Sequence, residues 1–127
     1  MDFLEFLAPG LSATTNLNVI RELNMIRVTI SYPASEGAHF DHDYYAKQHR
    51  TLINDRLRGI GLTQVEIDHC LADAAGGPPP VLAAAHMFFN SLPDFQAALA
   101  QHGAEIMGDI PNYTNIAPQI LISSVVD

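Results

Sequence analysis

The sequence predicts an α+β domain of the ferredoxin-like type, βαββαβ, with an antiparallel four-stranded sheet covered by two helices on one face. Two observations predict it. Strand and helix patterns follow one another in that order between Met25 and Val126, and each helix pattern opens on a side chain suited to capping. A third observation adds to these: the third strand is apolar at nearly every position, so something should cover the second face of the sheet as well.

Residues 1–24 show no clean period. Pro9-Gly10 breaks the chain, residues 12–16 read as a turn, and Val19 to Leu23 suits a short helical turn. We read 1–24 as an N-terminal extension and 25–127 as the domain. The first strand has Ile26, Val28, Ile30 and Tyr32 alternating with Arg27, Thr29 and Ser31, and Pro33 ends it. Asp41 is the expected N-cap of a helix to about Leu57, closed by Gly59 and Gly61. Val65, Ile67, His69 and Leu71 alternate with Gln64, Glu66, Asp68 and Cys70 as the second strand. The run Gly76-Gly77-Pro78-Pro79-Pro80 is a loop, and Val81 to Phe89 is the third strand. Ser91 caps the second helix, with Pro93 in its first turn, running to His102 and on to Met107 past Gly103. Pro111 and Asn112 make a turn before a fourth strand from Ile120 to Val126.

A chain of 127 residues is long enough for one domain with one core. Its charged fraction, 16%, lies well below the roughly 25% of ordinary soluble domains. Surface hidden in a partner explains both this and the apolar third strand, most simply a homodimer. Six Lys and Arg against fourteen Asp and Glu exclude the basic surface that nucleic acid or an anionic membrane needs. The single cysteine, Cys70, excludes an intrachain disulfide framework and a cysteine-rich zinc site. No apolar run reaches the roughly 18 residues of a membrane span, and the first six residues are acidic where a signal peptide is basic. A cytoplasmic protein is therefore expected.

No nucleophile elbow, phosphate loop, dinucleotide fingerprint or zinc motif is present, and no cofactor or metal is expected. Histidine placement carries the remaining signal. At 100° per residue His42, Tyr45, His49, Leu52, Ile53 and Arg56 share one side of the first helix. On the second, Phe95, Leu99, His102 and Ile106 form a stripe with Glu105 at its edge. Each helix thus points a histidine at the sheet. Polar groups under a helix are costly unless paired, and several converging in an apolar lining describe a small-ligand pocket. A lone histidine on such a face is more often a hydrogen-bonded core residue; two together balance the readings. A two-histidine metal site lacks a third-ligand motif. His86 and Phe88 share one parity of the third strand, and His69 lies on the second. Tyr44 points away from His49 on the wheel and suits a dimer surface.

Three stretches resemble the EthD family, named for ethyl tert-butyl ether degradation: Phe40-Asp41-His42-Asp43-Tyr44-Tyr45 with His49 and Leu52, the Phe95 helix with His102, and Glu105 to Thr114, including Asp109-Ile110-Pro111-Asn112-Tyr113-Thr114. The resemblance spans about Met25 to Val126. It implies a dimeric α+β barrel, two such sheets packed face to face. Members of the family are often labelled oxidoreductases, and fungal relatives act on aromatic polyketides as decarboxylases or dehydratases. The family commonly has His-x-Pro-Leu where this chain has His49-Arg50-Thr51-Leu52, so the helix should run straighter here.

The expectation is a small-molecule enzyme acting on an apolar, aromatic or cyclic, oxygenated substrate, with oxidoreductase-like or proton-transfer chemistry. His49 and His102 are candidate acid and base, and Tyr45 a candidate donor to a carbonyl or enolate. His42, Arg56, His86, Phe88, Asp109 and Tyr113 are candidate substrate contacts. Asp109 suits a pair with a histidine or arginine, while turn chemistry accounts for the rest of its motif. The alternative is a non-catalytic carrier of a hydrophobic ligand, or an accessory to a separate monooxygenase. Haem binding would rest on fold analogy alone.

Overall fold

The computed structural model describes residues 25–126. Residues 1–24, with the extension and helical turn expected there, lie outside the described residues.

Strand β1 is Ile26–Pro33, β2 Leu62–His69, β3 Val81–Phe89 and β4 Gln119–Ser124. They form one sheet in the order β2-β3-β1-β4, every pair antiparallel. That is the ferredoxin-like arrangement. β2 stops at His69, two residues short of the expected end. Leu71 is 84% exposed and has no cross-strand neighbour to shield it.

Helix α1 is composite: an α turn (His42–Tyr44), a π turn (Tyr45–His49), an α segment (Arg50–Leu57) and a closing 3-10 turn (Arg58–Ile60). The Asp41 carboxylate accepts from the Tyr44 backbone N–H, as its cap position requires. Gly61 follows at φ +86°, where a side chain would be strained and would also strike the Asp94 carboxylate. Helix α2 is Leu92–Gly108; the Ser91 hydroxyl accepts from the Asp94 N–H at 3.2 Å, and Pro93 occupies the first turn, where its missing N–H has no partner to lose.

Side chains alternate across a strand, so each strand divides between two faces. Ile26, Val28, Met87 and Phe89 pack beneath the helices with Ile53, Leu57 and Phe95 as the core. The opposite face, which we call open, presents Arg27, Thr29, Glu66, Asp68, His86 and Phe88 in registered rows. Of these, Thr29, His86 and Phe88 are half-buried.

Candidate active site

Beneath α1 and α2 lies a cavity of about 50 Å³. By the measure in which one water needs roughly 10–15 Å³, this is room for a few waters or the core of a small organic molecule. Its walls are apolar: Ile30, Met87 and Ile120 from the sheet, Ile53 from α1, Phe95 and Leu99 from α2. Among the described residues that line it, three side chains carry an N–H or O–H group, Tyr32, Tyr45 and His49. They meet at one end, so the cavity has a polar pole and a hydrocarbon pole.

The polar pole is assembled from distant segments. The π turn places Tyr45 and His49 at its two ends, both buried, and their rings stack with centroids 5.5 Å apart. Such turns hold one more residue than an α turn and recur at functional sites. α2 ends at Asp109, whose backbone N–H caps back onto Ile106 and Met107. A 3-10 turn, Ile110–Asn112, then carries the chain to Tyr113. This strap is tied to the entrance of α1. The Asp41 N–H donates to the Tyr113 carbonyl at 2.8 Å, and the Thr114 hydroxyl to the His39 carbonyl at 2.7 Å.

His49 Nδ1 and an Asp109 carboxylate oxygen are 2.9 Å apart. His49 Nε2 is 3.3 Å from the Tyr113 hydroxyl, which is 2.6 Å from the Tyr32 hydroxyl. Proton positions follow from chemistry. A carboxylate only accepts, so Nδ1 carries the imidazole proton. Nε2 of the neutral ring then accepts, so Tyr113 donates to it. With its hydrogen committed, the Tyr113 oxygen must accept from Tyr32. The Tyr45 hydroxyl interacts with Tyr32 in turn. Every donor in this chain points towards Asp109.

Electrostatics keep the chain neutral beyond the carboxylate. Burial lowers the pKa of His49 below its ordinary value, and the hydrogen bond and charge of Asp109 only partly oppose this. Burial also raises the pKa values of Tyr45 and Tyr113. For Asp109 burial pulls upwards, but hydrogen bonds outweigh it and hold the carboxyl below the usual range. Those donors are the Tyr44 hydroxyl at 2.7 Å, the Asn112 amide at 2.8 Å and His49. The result is a neutral imidazole base, positioned by an anion, beside an apolar cavity.

Of the residues singled out in the sequence, the structure brings His49, Tyr45, Asp109 and Tyr113 together. It does not bring the others. His86 and Phe88 stand on the open face, because the cavity takes the parity of Met87. His86 pairs there with Asp68, its Nε2 2.9 Å from the carboxylate, and its Nδ1 lies 3.4 Å from the Thr29 hydroxyl. Arg56 turns to solvent and bridges α1 to α2 through Glu105 at 2.6 Å; its long stem keeps the charge in water. His102 is half-buried and does not line the cavity, because Leu99, Gly103 and Ile106 take the inward positions of α2. His42 stacks on His69, ring centroids 3.5 Å apart. A wheel at constant pitch placed it with His49, but the extra residue of the π turn rotates what precedes it. Thr51, at the position of the family's proline, is exposed in an unbroken α segment.

Two site residues were missed. Tyr32 reads as one more apolar member of an alternating strand, and Tyr44 points away from His49 on an ideal wheel. Tyr32 ends the inward row of β1, which is the only sequence signal for it. Among the described residues no group of three His, Cys, Asp or Glu side chains could hold a metal ion, and no helix is long and apolar enough to cross a membrane.

No family model and no curated protein matches the sequence. Solved structures do match. An EthD-like protein from Ralstonia eutropha JMP134 is 44% identical, the match covering 82% of this chain and 94% of that one with a TM-score of 0.76. An ethyl tert-butyl ether degradation family protein from Bacillus halodurans C-125 is 14% identical, covering 80% and 99% with a TM-score of 0.57. The hydroxynitrile lyase of Passiflora edulis is 12% identical, covering 83% and 96% with a TM-score of 0.60. The last two share the fold.

Proposed function

We propose a function from one premise: this chain belongs to the EthD family, and its candidate site is suited to moving a proton. The substrate class is a small, apolar, cyclic or aromatic molecule with one oxygen function, held between helices and sheet. The observation that carries this reading is the Asp109–His49–Tyr113–Tyr32 chain ending at the polar pole of an apolar cavity.

His49 is the acid–base residue. A neutral imidazole with Nδ1–H on a carboxylate can take a proton at Nε2, and Asp109 then stabilises the imidazolium. Tyr113 must release Nε2 for this, which the 3.3 Å contact, the longest in the chain, makes the weakest link. Tyr45, buried against the cavity and held protonated, turns its hydrogen from Tyr32 to the substrate carbonyl as it becomes an enolate. Asp109, Tyr113 and Tyr44 are positioning residues. Reprotonation of the carbanion at another carbon gives isomerisation, its reaction with dioxygen gives cofactor-free oxygenation, and in a decarboxylation the same contacts would hold the enolate left by loss of CO₂ until His49 protonates it.

The test is deuterium exchange. Cyclic ketones incubated with the protein in D₂O should gain deuterium at the α-carbon, followed by NMR. His49→Ala should reduce the enzymatic rate at least a hundredfold, within the usual range for a lost general base. Equal exchange by wild type and variant would sink the assignment. We also propose a homodimer through the open face, where Leu121 is 63% exposed in one cross-strand row with Thr29 and half-buried His86. Leu121→Asp should then halve the mass seen in native mass spectrometry.

A further inference from the structure

Gly103 lies in the middle of α2, is buried and lines the cavity. A glycine there needs a reason, because replacing alanine by glycine inside a helix costs about 0.5–1 kcal/mol. The usual reasons are absent. Its backbone is not in the left-handed region. Nor does close packing require it: among the described residues a Cβ built on Gly103 meets only the Leu99 side chain, at 3.5 and 3.7 Å, ordinary contact distances. No sheet atom and no atom of α1 comes within 4 Å of that Cβ. The missing methyl would sit in the cavity.

We infer that Gly103 sets the size of ligand the cavity accepts, as a specificity-determining residue on the wall that α2 contributes. The inference rests on the functional reading above, since it takes the cavity to be a ligand site. A ligand placing its oxygen between His49 and Tyr45 would lay its hydrocarbon part against Ile53, Phe95 and Leu99 and into the gap that Gly103 leaves open. Among the described residues no Lys or Arg lines the cavity, and the imidazole there is held by a carboxylate. The favoured ligand is therefore neutral, with an oxygen at one end and an alkyl or ring portion at the other.

The experiment uses a homologous series as probes: phenol and its 4-methyl, 4-ethyl, 4-propyl and 4-butyl derivatives. Binding to the full chain is measured by titration calorimetry for wild type, Gly103→Ala and Gly103→Val. Each added CH₂ that is buried should tighten wild-type binding about fourfold, up to a length limit, at about 0.8 kcal/mol per CH₂. Gly103→Ala should raise the melting temperature, leave phenol unchanged and weaken the longest tolerated member about tenfold. Gly103→Val should move the limit to a still shorter chain. If both variants fold and bind the whole series as wild type does, the size role is wrong while the pocket reading stands. If wild type binds no member, the pocket reading fails and this inference fails with it. His49→Ala separates the two further: it should weaken every member alike and leave the length limit where it was.

Discussion

Among the described residues two histidine–aspartate pairs have the same length, and they differ in almost everything else. His49 and Asp109 are 2.9 Å apart with side chains only 4% and 14% exposed. His86 and Asp68 are also 2.9 Å apart, but 26% and 53% exposed. The first pair lies under the helices, is backed by Tyr44 and Asn112, and continues through two tyrosines to a cavity. The second lies on the open face and continues only to Thr29. Distance alone does not make a site. A carboxylate in water loses little by losing its partner, whereas a buried one fixes a tautomer, a ring orientation and the direction of every hydroxyl behind it.

The sharpest way to break this comparison is to cut neighbouring residues of one strand. Phe89 is fully buried beneath the helices and packs on Phe95 with ring centroids 5.2 Å apart. Phe89→Ala should cost about 3–5 kcal/mol in urea unfolding. Phe88→Ala, on the open face, should cost under about 1 kcal/mol in a monomer. A larger, concentration-dependent loss at Phe88 would mean that a second copy covers that face. Next come the pairs themselves. Asp109→Asn should cost about 2–3 kcal/mol, because buried donors lose a charged acceptor. Asp68→Asn should change stability by less than about 0.5 kcal/mol. Equal effects would remove the distinction drawn between the two faces.

Acid unfolding is a smaller and subtler probe. The folded pKa of His49 lies below its unfolded value of 6.5. The unfolded chain therefore binds the proton first, and stability present above pH 6.5 is lost as pH falls towards the folded value. His42 is shifted in the same direction, by burial and then by His69. The slope should therefore shrink in His49→Gln and shrink again when His42→Gln is added. A slope unchanged in His49→Gln would show that this imidazole is not buried neutral. Gly103→Ala should favour the fold by about 0.5–1 kcal/mol.

Much of the fold was legible because its signals are local. Asp41, Ser91 and Pro93 mark helix starts through atoms within three residues, and the alternation of β1 needs no knowledge of its neighbours. His49 was legible because an apolar helix side should not carry an imidazole without cause. What failed was non-local. The parity of β3 is decided by which of its faces the helices cover, and an apolar strand gives no contrast to read. The π turn displaced His42 from its place on an ideal wheel. Tyr32 and Tyr44 acquire their roles only from partners 81 and 65 residues away.

The chain has four tyrosines and no tryptophan. All four, Tyr32, Tyr44, Tyr45 and Tyr113, belong to the hydrogen-bonded cluster around His49 and Asp109. The near-ultraviolet absorbance, circular dichroism and intrinsic emission of this protein are therefore dominated by light from one place. The site carries its own spectroscopic label, at natural abundance and with no competing indole, and a ligand entering the cavity would be seen by the chromophores it touches.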